Sequence, residues 1–232
     1  TAAVESALRV FTNIQDKVDR TLFAWDGQQK KDKGRDPKPP EYHSTMQLFK
    51  AALKLLMDTK NVLLPAYEAD DVIATAAFNL EQSQWIYVVS GDKDLQQLQG
   101  GNVVYYCLNT KSVLPQRQIT RKWGVKRPSQ IAIALAILGE TIDKVPGIKG
   151  WGPKKVEKLF EAVPPEMKFA DALETIEKQI PDELLPIFYE SLNLTMLNRQ
   201  VPDVPAPNPV KLASMEEIDN AGLQGIERLY AK

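Results

Sequence analysis

The sequence predicts an α/β fold in which a mostly parallel central sheet is flanked by helices. Short runs rich in β-branched and aromatic residues have strand length: TLFAWDG at 21–27, NVLLPAY at 61–67, WIYVV at 85–89 and NVVYYCLN at 102–109. Segments with helical periodicity lie between them, most clearly YEADDVIATAAFNL at 67–80, where Ala69, Val72, Ile73, Ala76, Ala77 and Leu80 share a face. Strands that alternate with helices imply parallel pairing and helical cover on both sides of the sheet.

In chain order, residues 4–19 read as an amphipathic helix, and the strand at 21–27 stops at Asp26-Gly27. Residues 30–42 are basic and proline-rich and read as an exposed excursion, followed by a long helix at about 43–58. The strand at 85–89 runs into SGDKDL. From about 129 the character turns helical, with SQIAIALAIL and then GETIDKVPGIKGWGPKKVEKLF. Within it VPGIKGWG places three glycines and a proline in a hairpin between helices, with Pro153 at the favoured first position of the next helix. VPDVPAPNPV at 201–210 reads as a stiff, extended connector before a last short helix. The division expected from this pattern is a core over 1–128, with the segment 28–42 inside it, and a helical region over 129–232.

The 232 residues, 44% hydrophobic and 25% charged, have globular composition. No apolar run reaches the roughly 18 residues of a membrane span, and Thr1 opens no signal pattern, so a membrane partner is not expected and an intracellular place is. With Cys107 and His43 the only residues of their kinds, any metal must be held by oxygen. A net charge of −1 argues against a wholly basic surface, yet lysine and arginine concentrate in KKDKGRDPK at 30–38 and KGWGPKKVEK at 149–158.

The acids gather elsewhere. Glu68, Asp70 and Asp71 open the helix at 67–80, where carboxylates cap free N–H groups and face the positive end of the dipole. Capping is a sufficient account of one or two of them, but like charges at helical spacing repel. In parallel sheets ligands sit outside the carboxyl ends of the strands. Asp26 ends one strand, Asp92 and Asp94 end another, and the three helix acids follow a third, so one edge is expected to collect six carboxylates. Such crowding calls for a compensating cation. Hard oxygen ligands without histidine or cysteine select Mg²⁺ or Mn²⁺.

In the hairpin, Gly147, Gly150 and Gly152 permit close backbone approach, and the helix start with Lys154 and Lys155 suits an anion, although a plain interhelical loop has the same residues. Trp85, Tyr87 and Tyr105 read as core aromatics of strands, Cys107 as an inert strand residue and His43 as a surface residue at a helix start. Trp151 suits either packing beneath the hairpin or a sugar face.

FAWDG at 23–27, YEADDVIATAA at 67–77, VVSGDKDLQQL at 88–98, KWGVKRPSQIAIALAILGETID at 122–143 and VPGIKGWGPKKVEKLF at 145–160 occur in the order of a known family. Together they resemble the 5′-nuclease family, which includes flap endonucleases, phage 5′–3′ exonucleases and the small nuclease domain of bacterial DNA polymerase I. The resemblance implies a PIN-like nuclease core and a helix–three-turn–helix DNA-binding subdomain at 139–160. It implies that Asp26, Glu68, Asp70, Asp71, Asp92, Asp94 and Asp143 are metal-site acids, with Glu140 where the family usually has aspartate. Asp26, Glu68, Asp70, Asp71, Asp92 and Asp94 would then be the catalytic set, and two Mg²⁺ or Mn²⁺ ions about 4 Å apart would activate water and stabilise both oxygens of the displacement. Glu140 and Asp143 complete the second position.

The same resemblance implies that Gly147, Lys149, Gly150, Gly152, Lys154 and Lys155 grip duplex DNA, with K⁺ at carbonyls of the 145–154 hairpin. Lys33 and Arg35 belong to the base of an arch that threads a 5′ single strand. The implied partner is DNA with 5′ ends, flaps or nicks, acted on by a monomer in a bacterial or phage-infected cytoplasm. A nuclease-fold protein that only binds branched DNA is the competing function, and RNA cleavage is disfavoured by the hairpin.

The chain departs from the family in two places. Nothing before Asp26 matches the family's first strand and its aspartate, since Asp16 and Asp19 lie in a polar helix, so residues ahead of Thr1 are expected to supply that strand. The loop from Gln28 to Pro40 is short for an arch. A break is therefore expected between Gln28 and Arg35, with one neighbouring pair much farther apart than the about 3.8 Å of bonded Cα atoms.

Overall fold

A computed structural model of the protein describes residues 18–27, 60–80 and 84–209, with Gln47 and Lys50. Outside the described residues lie most of the helix expected at 4–19, the segment 28–42 with Lys33 and Arg35, His43, most of the helix at 43–58, the last helix, and the expected break after Gln28; Val18 and Asp19, which are described, are not helical. The described elements run β1 (Arg20–Trp25), β2 (Lys60–Leu63), α1 (Ala69–Leu80), β3 (Ile86–Ser90), β4 (Val103–Cys107), β5 (Ser112–Val113), α2 (Gln116–Trp123), α3 (Ile131–Leu138), α4 (Pro153–Phe160), α5 (Phe169–Glu177), α6 (Leu185–Thr195) and β6 (Asn208–Pro209). Of these residues, those before Ile73 and after Val201 belong to one compact unit and those from Ile73 to Val201 to a second.

In the first unit β1 and β2 pair in parallel from Leu22 opposite Lys60 to Trp25 opposite Leu63. The end of the proline-rich connector adds β6 antiparallel to Arg20 and Thr21. Trp25 is buried, its Nε1 donates to Asn61 Oδ1 at 2.9 Å, and Lys50 Nζ lies 4.6 Å from its ring centroid.

In the second unit β3 and β4 pair in parallel from Ile86 opposite Val103 to Ser90 opposite Cys107, and β5 pairs antiparallel with β4. In place of the one mostly parallel central sheet expected from the alternation of elements, the described residues form two three-stranded sheets, each with one parallel and one antiparallel pair. A few residues separate β4 from β5, too few for the crossover that a parallel partner needs. Val88, Val103, Tyr105 and Cys107 pack with Ala74 and Ala77 of α1 and with Leu95 and Leu98. Tyr105 and Cys107 are core residues as expected, but Trp85 is 71% exposed, because β3 begins one residue later and leaves Trp85 outside the pleat.

α3 is apolar on every side and buried from Ile131 to Ile137, which makes it the central element of the helical core. Val156, Leu159 and Phe160 of α4, Ala172 and Ile176 of α5, and Phe188 and Leu192 of α6 close around it. α2 was not among the expected elements: Ile119 is its one buried residue, so no apolar stripe reveals it. Among the described residues no helix is long and apolar enough to cross a membrane.

Candidate metal centre

The acids of the first unit are positioned by one tight junction. Gly27 N–H donates to Tyr67 O at 3.0 Å, and a Cβ on Gly27 would lie 2.2 Å from Leu64 O, so only glycine lets the end of β1 press against the turn before α1. That contact brings Asp26 to the helix start, where its Oδ1 accepts the Ala69 N–H at 3.1 Å. Glu68 precedes the helix, and its carbonyl accepts the Val72 N–H at 3.3 Å. Asp70 and Asp71 occupy the first turn. Asp26 therefore satisfies a free N–H at the start of the helix whose first turn carries Asp70 and Asp71.

The acids of the second unit come from two segments. After β3, Asp92 N–H donates to Ser90 Oγ at 3.0 Å, and Asp92 Oδ1 accepts the Asp94 N–H at 2.9 Å. The Tyr105 hydroxyl donates towards the carbonyls of Ser90 at 2.9 Å and Asp92 at 2.7 Å, pinning the loop from beneath. Asp94 opens a 3₁₀ turn, Asp94–Leu98, whose leucines are buried. The second segment follows α3, where Glu140 and Val145 exchange two backbone bonds of 2.9 Å and set Asp143 on the loop between them.

Carboxylate oxygens of Asp94, Glu140 and Asp143 all lie within 4.8 Å of one another. Asp94 Oδ1 is buried without a hydrogen-bond partner. Burial, helped by the charges of Asp92, Glu140 and Asp143, pushes the Asp94 carboxyl up to about 7. Lys93 Nζ pairs with the Glu140 carboxylate. Burial favours the neutral amine of Lys93, yet Glu140, with Asp94 and Asp143 behind it, holds Lys93 above its ordinary range. A crowded, half-buried set of oxygen donors with one orphaned oxygen fits a hard divalent cation, directly or through its waters.

The glycine hairpin is built into the helical core. Gly147 N–H donates to Ser191 Oγ of α6 at 3.0 Å, and Ile148 N–H donates to Ile137 O at 2.8 Å. Gly147 has φ +66°, and a Cβ there would lie 2.5 Å from Gly139 N. Gly147→Ala is expected to cost at least about 1–2 kcal/mol from the left-handed backbone alone, several degrees in Tm, before any displacement of Gly139 is counted. A thermal melt unchanged within one degree or so would show that this turn relaxes freely. Trp151 is half-buried against the helical core, and Lys155 Nζ lies 4.4 Å from its ring centroid, so the tryptophan packs beneath the hairpin and carries the lysine. Lys149 and Lys154 are exposed, and Gly150 and Gly152 are open on the Cβ side.

Three further residues contribute without a mark in the sequence. Lys93 lies inside the SGDKDL run, between two acids. Tyr105 reads as core, which it is, but the polar end of a buried tyrosine needs a partner and so marks the loop it holds. Ser191 carried no signal, being one polar residue in an ordinary helix.

Residues 1–124 match the family described as 5′-3′ exonuclease, N-terminal resolvase-like domain. The chain is 32% identical over 199 residues to a thermostable DNA polymerase I of Thermus caldophilus, covering 84% of this chain and 23% of that protein. It is 33% identical over 146 residues to a 5′-3′ exonuclease of Aquifex aeolicus, covering 62% of this chain and 48% of the relative. The chain thus spans less than half the length of these curated relatives. In fold it resembles the T5 5′-exonuclease solved with zinc, at a TM-score of 0.60 and 15% identity over 85% of this chain and 81% of that one. A T5 flap endonuclease solved with DNA and metal ions matches at the same TM-score, 0.60, with 16% identity over 85% and 80% of the two chains.

Proposed function

Because the chain belongs to the family of 5′–3′ exonucleases with the N-terminal resolvase-like domain, we propose that it is a divalent-metal-dependent 5′ nuclease that hydrolyses DNA near 5′ ends, flaps or nicks. The observation that carries the reading is the group of Asp94, Glu140 and Asp143, with the buried and unpartnered Oδ1 of Asp94.

The residues that would hold Mg²⁺ or Mn²⁺ are Asp70 and Asp71, with Asp26 and Glu68, in the first unit, and Asp94, Glu140 and Asp143, with Asp92, in the second. When bound, such ions would supply an activated water and stabilisation of the attacking and leaving oxygens. The protein's own part is placement. Asp26 ties the end of β1 to the start of α1, Asp92 caps the turn that presents Asp94, and Tyr105 holds that loop to β4. Partial burial of Asp94 and Glu140 keeps water from screening the charge they present.

The hairpin at 145–154 serves in this reading as a helix–three-turn–helix grip on duplex DNA, with backbone N–H groups, Lys149, Lys154 and Lys155 facing phosphates and K⁺ at its carbonyls. Replacing Lys154 and Lys155 together by alanine is expected to weaken duplex binding uniformly over sequence and to lower the salt slope by about two. An unchanged slope places the duplex elsewhere.

The deciding experiment is cleavage of 5′-flapped, nicked and blunt duplexes with Mg²⁺, with Mn²⁺ and in chelator. Cleavage that requires the metal and a 5′ end supports the reading. Binding without cleavage at any metal concentration overturns it in favour of a protein that only binds branched DNA.

A further inference from the structure

We propose that Lys93 is a positioning residue that acts as an internal counter-cation for Glu140, so that a divalent ion gains the Glu140 carboxylate only in competition with the Lys93 ammonium. The proposal deepens the ion-site reading above and rests on it.

Both partners are held from their backbones. Lys93 lies between Asp92 and Asp94, whose main chain is tied by the Asp92 cap and by Tyr105. Glu140 is fixed by its two bonds to Val145. The ion pair therefore does not depend on two long side chains finding one another in solvent, which is what makes most surface pairs worth little.

Exposure separates it from such a pair within the same unit. The side chains of Lys178 and Glu174 are 71% and 66% exposed, whereas Lys93 is 41% exposed and Glu140 11%. A carboxylate withdrawn that far from water must keep a charged partner, and Lys93 is the cation that supplies it. The Lys93 ammonium also feels Asp94 and Asp143. One positive charge leaves the three acids Asp94, Glu140 and Asp143 under-compensated, so the group still attracts a divalent ion. That ion meets a competing cation already seated on Glu140 and a like charge beside its own position. The tether matters as well, because an ammonium that leaves Glu140 stays within one side-chain length of it and can return when the ion departs.

The test is Mn²⁺ binding to the metal-free full chain at fixed ionic strength, followed by the electron paramagnetic resonance of free Mn²⁺ and with no substrate present. Lys93→Met and Lys93→Gln are expected to bind Mn²⁺ roughly tenfold more tightly than the wild type, since a like charge near the ion is removed. Lys93→Arg keeps the charge and is expected to stay near the wild-type value. The gain should vanish when Asp94→Asn is added to either neutral variant, which places it at this group. Neutral variants that stay folded and bind Mn²⁺ no better than the wild type overturn the assignment of Lys93 while leaving the ion site standing. Equal tightening in the methionine and arginine variants overturns it too, because charge would not be the cause. Failure of the wild type and every variant to bind Mn²⁺ overturns the ion-site reading itself. Should Lys93→Met melt early, Lys93→Gln carries the comparison, as its amide still reaches Glu140.

Discussion

Asp94→Asn and Asp92→Ala are each expected to lower metal-dependent cleavage by at least roughly 10²-fold, because losing an acid of the ion site removes charge stabilisation that acts in the transition state. Asp71→Ala should behave alike from the first unit. Duplex binding should remain measurable in all three if, as proposed, the hairpin holds the phosphates of the substrate without holding the ions. The two substitutions in the SGDKDL loop are informative together. Asp94→Asn keeps the volume of the side chain and leaves the buried Oδ1 position occupied by an uncharged amide. Asp92→Ala also removes the acceptor of the Asp94 N–H, a turn hydrogen bond worth about 1 kcal/mol. Asp92→Asn retains an acceptor there, so it separates the loss of charge from the loss of that bond. Parallel loss of binding and cleavage in Asp94→Asn would count against a catalytic role and point to a structural one.

The metal-free protein is expected to be more stable at pH 5 than at pH 8, and a divalent ion is expected to close that gap. The Asp94 carboxyl stands at about 7 in the folded protein, raised first by burial and then by Asp92, Glu140 and Asp143. An unfolded chain returns it to about 4. Between those values the folded state holds a proton that the unfolded state has released, so Asp94 contributes stability that is fully present below about pH 4 and lost as pH rises through about 7. The loss is on the order of a few kcal/mol. A bound ion stabilises the ionised carboxylate and adds stability in proportion to its occupancy, most strongly where protons no longer compete.

Melting curves by circular dichroism at pH 5 and pH 8, with and without Mg²⁺, test this. Asp94→Asn should melt above the wild type at pH 8 without metal, show a flatter pH profile and gain less from Mg²⁺. Profiles that superimpose for the wild type and Asp94→Asn would mean that this carboxyl titrates as an ordinary surface acid.

Much of the local fold is legible in the sequence. The helix at Ala69–Leu80 follows from apolar spacing, and β1, β3 and β4 follow from short β-branched and aromatic runs, because both patterns are local consequences of backbone geometry. The Asp26-Gly27 stop was legible for the same reason: strand ends and turns declare themselves in residue type. α2 stayed hidden because a helix that buries Ile119 alone has no stripe to read. Trp85 was misplaced by one residue of strand boundary, which is enough to move a side chain from the pleat to solvent.

The residue types and their order along the chain settled on their own that any metal site must be made of oxygen, and which acids follow which strand. Only the tertiary structure decided how unlike those acids are. Asp94 carries the buried, orphaned oxygen, Asp92 spends one oxygen on a cap, and Glu140, 47 residues from Lys93 along the chain, shares an ion pair with it. Nothing in periodicity or composition encodes that pair, because it arises from two backbone segments fixed independently, one by Tyr105 beneath the loop and one by the bridge to Val145. Proximity across such a separation is a property of packing, and it is packing that sets the dielectric, the charge balance and so the chemistry of each carboxylate.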